Sequence, residues 1–213
     1  MDTIQAVPNF KVVYEGLSLT VTLSTSNLSL GLVAGTTYRF TLQAVNIYGS
    51  SDFSEETRVA LGTLPPQPNP PTKVEALSSI SSIAVTWNEV IPTDGVAITG
   101  YKLYMDDGYS GNFFVVYDGT GYPYTTSYTA VNLTTGLPYR FYVVASNING
   151  DSVGSNIAII YSCLIPSGLN TPIKTGTTTS SIAISWNEPN PNGCPITGFA
   201  IYRDTGNNDP LTV

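Results

Sequence analysis

Clusters of carboxylates, glycines and tyrosines are where this sequence has the residue types for chemistry. Asp106-Asp107 opens the stretch DDGYSG, and paired carboxylates are how a hard-cation site begins. No further carboxylates follow at calcium-loop spacing, so turn formation is the reading for this pair, and Glu55-Glu56 reads as a solvated loop pair. Glycines 108, 111, 119 and 121 are dense enough for a phosphate loop, yet no strand-to-helix context follows them, and turns explain them. The chain has no histidine, which removes the commonest general base and the commonest zinc ligand together. No catalytic, cofactor-binding or metal-ligating residue is expected, and the chain is not read as an enzyme. Nine of the fourteen tyrosines fall between residues 101 and 142, and strand alternation aims Tyr104 and Tyr142 outward. Outward tyrosines can stack on sugars or anchor a protein partner; equally, strands favour Tyr and a charge-poor surface needs amphipathic residues. Asn27-Leu28-Ser29 and Asn132-Leu133-Thr134 fit the N-glycosylation acceptor pattern.

The elements that would position these residues are strands. Ile83, Val85 and Trp87 alternate with Ala84 and Thr86, and Tyr139, Phe141, Val143 and Ala145 alternate with Arg140, Tyr142 and Val144, the period of two of half-buried strands. Turn clusters PTDG, DDGYSG, LTTG and NING separate the runs, and no stretch sustains a helical stripe. Two patterns occur twice. LVAGTTYRFTLQAVNIYGSS from Leu32 returns as LTTGLPYRFYVVASNINGDS from Leu133, 101 positions on, and SSIAVTWNE from Ser81 returns as SSIAISWNE from Ser180, 99 on. These spacings favour units of about 100 residues over one large domain. Charged residues are only 11% of the chain, so Ser, Thr, Asn, Gly and Tyr must make most of the surface. A net charge of −7 opposes nucleic-acid binding, and no apolar run approaches the roughly 20 residues of a membrane span. Met1 is followed by Asp-Thr-Ile-Gln, with no secretory signal visible.

Trp87 ending its strand, the run Ile98-Thr-Gly-Tyr-Lys-Leu-Tyr104, and the corner Leu133-x-x-Gly136-x-x-Tyr139 together resemble a fibronectin type III domain. The resemblance implies an all-β chain of tandem seven-stranded β-sandwiches, one complete and two partial. It implies a buried indole at Trp87 and Trp186, and a corner hydroxyl bonded to nearby backbone at Tyr139 and Tyr38. It also brings Cys163, at the entry to the third unit, and Cys194, in its B–C loop, to one pole of a sandwich, where they should form a disulfide and place the chain in an oxidising compartment. Asn132 falls just before the E–F turn, where a glycan would reach solvent, and a Ser- and Thr-rich skin suits a glycan coat.

In this register Met1-Asp2 and Asn9-Phe10 match Met105-Asp106 and Asn112-Phe113, so residues 1–64 read as the C-terminal part of one domain, 65–163 as a complete domain and 164–213 as the N-terminal part of a third, with a C′ strand due near Val213. Each partial domain needs the strands it lacks, supplied either by neighbouring domains of one long chain or by other copies joined head to tail in a filament. The 213-residue piece is accordingly not expected to be a stable monomer. Leu64-Pro-Pro-Gln-Pro-Asn-Pro-Pro71, with five prolines, should be a stiff connector. The leading function is a structural or adhesive repeat segment of an extracellular or cell-surface filament or ectodomain. The alternatives are a carbohydrate- or protein-binding module using the tyrosine surface, and an accessory segment of a secreted multidomain enzyme.

Overall fold

The computed structural model describes residues 10–206; Met1, Asp2, Asn9 and the C′ strand expected near Val213 lie outside the described residues. The fold is all-β. Its helical turns among the described residues are two 3-10 segments, Leu28–Leu30 and Glu75–Leu77. In residues 10–64, β1 (Thr37–Phe40) pairs antiparallel with β4 (Thr57–Ala60), and the short β2 (Val45–Asn46) and β3 (Gly49–Ser50) make a hairpin. Residues 65–163 hold two facing sheets. The smaller has β5 (Thr72–Lys73), β6 (Ile83–Thr86) and β9 (Ser127–Ala130) in the order β5-β6-β9. The larger comprises β7 (Ile98–Met105), β8 (Phe114–Asp118), β10 (Pro138–Asn147), β11 (Gly150–Asp151) and β12 (Ala158–Tyr161), ordered β11-β10-β7-β8 with β12 also on β10. Counting β11 and β12 as halves of one interrupted strand gives seven strands. In the third segment β13 (Ile173–Thr177) pairs with β14 (Ile182–Ser185).

Period-two alternation sends one side-chain set of each strand into the gap between the sheets. Ile83, Val85 and Trp87 on one side meet Tyr101, Leu103, Met105, Tyr139, Phe141, Val143 and Ala145 on the other, all buried. Leu133, which opens the corner motif, is only partly buried; it lies at the sandwich's end, where its N–H donates to Ser81 O at 2.9 Å. Tyr139 Oη accepts the Thr134 N–H at 2.9 Å, and Tyr38 Oη accepts the Val33 N–H at 2.7 Å, the same corner in two copies. Tyr101 Oη accepts the Val90 N–H at 2.8 Å, and burial pushes its hydroxyl pKa up.

The interruption between β11 and β12 has a specific cause. Ser152 and Ser155 lend their hydroxyls as acceptors to the Ala145 and Val143 N–H groups, each at 3.0 Å, where a regular ladder would offer carbonyls. Ser51 and Ser54 do the same for Ala44 and Leu42 at 3.0 and 2.9 Å.

The flanking segments are less regular. Residues 10–36 include the counterpart of β8 yet form no strand, because residues 10–64 hold no counterpart of β6 or β7 to pair with. Residues 196–202, the counterpart of β7, likewise stay outside any strand, because residues 164–206 hold no counterpart of β10 or β8 to pair with. Trp186 is half-buried, its ring 5.6 Å from Phe199 in an edge contact, while Leu42 and Ile182 are 73% and 78% exposed.

The buried Trp87 Nε1 has no hydrogen-bond partner among the described residues. Trp87→Ala should therefore cost about 3 to 5 kcal/mol in denaturant unfolding, whereas Trp87→Phe, which keeps an aromatic ring and deletes the orphan donor, should cost clearly less. An equal loss in the two variants would contradict this packing.

Candidate functional site

The outward tyrosines meet each other. Tyr104 and Tyr142 lie opposite one another across β7 and β10, with ring centroids 4.5 Å apart and planes within 5°. Phe113 packs edge-on against Tyr142 at 4.9 Å, and the Arg140 guanidinium sits 4.8 Å over the Phe113 ring. Both tyrosines are half-buried, each ring covering a face of the other, and burial pushes the Tyr142 hydroxyl pKa up.

Beneath this cluster lies a contact that sequence reasoning missed. Asp106 is fully buried. It accepts the Arg140 Nε–H at 2.7 Å, the Arg140 backbone N–H at 2.8 Å and the Gly108 N–H at 3.1 Å. Arg140 also donates to Gly111 O at 2.6 Å, so the pair clamps the β7–β8 turn to β10. Asp107 takes the turn role expected of it, accepting the Tyr109 and Gly111 N–H groups. Those bonds hold its carboxyl below the usual range. A signal was available in the repeat: Arg39 stands where Arg140 does and lies 5.4 Å over the Phe10 ring. Among the described residues no three His, Cys, Asp or Glu side chains converge as a metal site.

The second set of candidate contacts lies where one segment meets the next. At the first junction Asn149, in the two-residue β10–β11 turn, clamps the end of β4. Its Oδ1 accepts the Ala60 N–H at 2.9 Å, and its Nδ2 donates to Ala60 O at 2.9 Å and Gly62 O at 3.1 Å. Asn147 Nδ2 donates to Thr63 O at 2.9 Å, and its Oδ1 accepts the Asn149 and Gly150 N–H groups at 2.8 and 3.2 Å, fixing the turn. The Thr63 N–H and hydroxyl both donate to Asp94 Oδ2, the hydroxyl at 2.8 Å, and these bonds hold the Asp94 carboxyl below its ordinary range. Gln67 Nε2 donates to Gly154 O at 2.7 Å, tying the proline-rich connector down. Gly35 packs so closely on the Asp94-Gly95 turn that a Cβ there would sit 3.1 Å from Asp94 O.

The second junction repeats the arrangement. A Cβ on Gly136, the counterpart of Gly35, would lie 2.8 Å from Gly193 O. Asn192 O accepts the Leu164 N–H at 3.0 Å, and Asn192 Nδ2 donates to Ile165 O at 2.6 Å and Ser167 Oγ at 3.0 Å. Cys163 and Cys194, 31 residues apart, are disulfide-bonded with Cα atoms 5.6 Å apart. In both places the stretch leaving one segment is tied to the turn that precedes β7 or its counterpart, residues 196–202.

Asn27 and Asn132 are both exposed. Asn27 Oδ1 accepts the Ser29 hydroxyl at 2.7 Å, and Asn132 holds a positive φ of 58° in the turn before Leu133.

Residues 69–160 match the fibronectin type III domain family. Among curated relatives, the mouse (Mus musculus) fibronectin type-III domain-containing protein 3A is 30% identical over 177 residues, covering 80% of this chain and 14% of that protein. Human neogenin is 32% identical over 189 residues, 85% of this chain and 12% of neogenin. Chitinase A1 of Niallia circulans is 29% identical over 157 residues, 68% of this chain and 21% of the chitinase. The chain thus spans a small fraction of each relative's length.

Two outcomes are expected. Asp106→Ala strands the Arg140 guanidinium without its carboxylate and should cost about 3 to 5 kcal/mol in equilibrium unfolding, the range for breaking a buried pair. Replacing both cysteines by serine should lower the stability of the third segment by about 3 to 4 kcal/mol in the loop-closure treatment of a 31-residue bridge, with no change around Trp87; segment-resolved hydrogen exchange reads both.

Proposed function

At its centre the protein holds a fibronectin type III domain, and from that premise we propose that residues 1–64, 65–163 and 164–213 are consecutive units of a non-catalytic structural or adhesive array. The array is extracellular or at the cell surface, its units held at fixed spacing. The observation that carries the reading is the repetition of one joining device: Gly35 against Asp94-Gly95 at one junction and Gly136 against Gly193 at the next. Random neighbours would not meet twice through the same two turns. The Cys163–Cys194 bond supports an oxidising compartment. The partners of the two end units are neighbouring domains of the same long polypeptide or further copies of it, joined head to tail, because each presents a face like one that the central sandwich buries. Glycans on Asn27 and Asn132 would coat such an array, since both residues are exposed.

A second reading, an accessory segment of a secreted enzyme, is favoured by the match to chitinase A1. A tyrosine-based ligand surface is less well supported, because Tyr104 and Tyr142 occupy one another's ring faces. Small-angle scattering from residues 1–213 in dilute solution should give an elongated particle whose longest dimension clearly exceeds that of one sandwich. A compact, isotropic profile would overturn the array reading, and retention on chitin or another insoluble polysaccharide would favour the accessory one.

A further inference from the structure

The sequence contains two Asn-Gly pairs, Asn149-Gly150 and Asn192-Gly193, and both stand at junctions between units. Asn-Gly is the dipeptide in which a backbone nitrogen most readily attacks the preceding side-chain amide, because glycine has no Cβ to obstruct the approach. Here the reacting groups are already engaged. Asn149 Nδ2, the leaving group, is held by Ala60 O and Gly62 O, and the Gly150 N–H, the nucleophile, donates to Asn147 Oδ1. Asn149 is nonetheless part-exposed and sits in a surface turn, so opening of the junction would free Nδ2, and local fraying of the turn that the junction then no longer braces would free the Gly150 nitrogen.

We propose that Asn149-Gly150 is a deamidation site that doubles as the latch of the first junction: protected while the units are docked, and irreversibly unlatched once it reacts. In the open state the Gly150 nitrogen gives its proton to solvent and bonds to Asn149 Cγ, while the Cγ–Nδ2 bond breaks and the nitrogen leaves as ammonia, taking a proton from water. One water then opens the cyclic imide. Cleavage of the bond from Cγ to the imide nitrogen gives aspartate, and cleavage of the bond from the backbone carbonyl carbon to that nitrogen gives isoaspartate. Only water is consumed, and no redox partner is needed. In aspartate a negatively charged oxygen replaces the donor that faced two carbonyls, an unpaired clash at Ala60 O and Gly62 O; in isoaspartate Cγ becomes the main-chain amide carbon and the new carboxylate forms from the former backbone carbonyl, so the side-chain donor is lost there too. Isoaspartate also lengthens the turn backbone by one carbon. The second junction differs: Asn192-Gly193 has the same chemistry, with Nδ2 held by Ile165 O and Ser167 Oγ, but Cys163–Cys194 bridges the same two stretches and keeps them together after reaction. The latch deepens the array reading, on which its consequence for spacing rests.

The test uses residues 1–213 incubated at mildly alkaline pH, folded and in urea, followed by peptide mass mapping of both sites. Conversion at Asn149 should be slower by about tenfold or more in the folded protein than in urea. Asn149→Asp should broaden the scattering-derived distance distribution while the unfolding transition of the central sandwich stays in place. Asn192→Asp should broaden it only after the disulfide is reduced. Equal conversion rates at Asn149 in the folded and unfolded protein, or an unchanged distribution in Asn149→Asp, would overturn the latch. A compact wild-type profile with Asn149 still protected would instead sink the array reading and leave the latch standing.

Discussion

Face-to-face closure of two sheets, Ile83, Val85 and Trp87 against Leu103, Phe141 and Val143, is the contact from which the other features of this protein follow. An alternating strand has one apolar side, and a lone sheet leaves it wet. Where both sheets are present, the core side chains are almost wholly excluded from water. Where only one is, the equivalent residues are half-exposed or worse: Phe40 and Leu42 follow the pattern of Phe141 and Val143, and Ile182 follows Ile83, yet Leu42 and Ile182 stay largely in water. Identical local patterning thus gives different burial, because burial belongs to the pair of sheets.

With the core closed, the loops at its poles become fixed surfaces, and the joining of units becomes a matter of loop chemistry. The two junctions reach the same end by different bonds. At the first, side-chain hydrogen bonds from Asn147, Asn149 and Asp94 gather the connector, reinforced by prolines that restrict φ. At the second, with fewer prolines, a covalent bridge from Cys163 to Cys194 does the gathering. Neutral side-chain bonds are individually worth about 1 kcal/mol, so the first junction depends on their number, whereas at the second the Asn192 hydrogen bonds are backed by one covalent link.

Much of this is legible in the residues. The Trp87 strand and the Tyr139 corner show because period two and a fixed Gly-to-Tyr spacing are local signals, and the cysteines can be paired because the family order gives them a common pole. The Asp106–Arg140 pair is hidden: the aspartate looks like turn chemistry alone, and its partner lies 34 residues away on another strand. Outward alternation correctly aims Tyr104 and Tyr142 but does not show that their rings stack, which depends on the register of β7 against β10. The hydroxyls of Ser152 and Ser155 escape notice because serine in a charge-poor surface carries no signal of its own. Asn149 is hidden most deeply, since its bonding partner belongs to a different unit.

That last separation sets a clock. Asn149 lies 89 residues beyond Ala60, so a ribosome laying down the polypeptide from its N-terminus finishes β4 long before the turn that grips it exists. At about 5 to 20 residues per second the delay is on the order of ten seconds, and the central sandwich must also close before its turn is rigid enough to hold anything. The nascent chain therefore emerges with its first junction loose, and that joint sets only after the sandwich of residues 65–163 is complete, whereas the second can be tied about 31 residues after Cys163 appears.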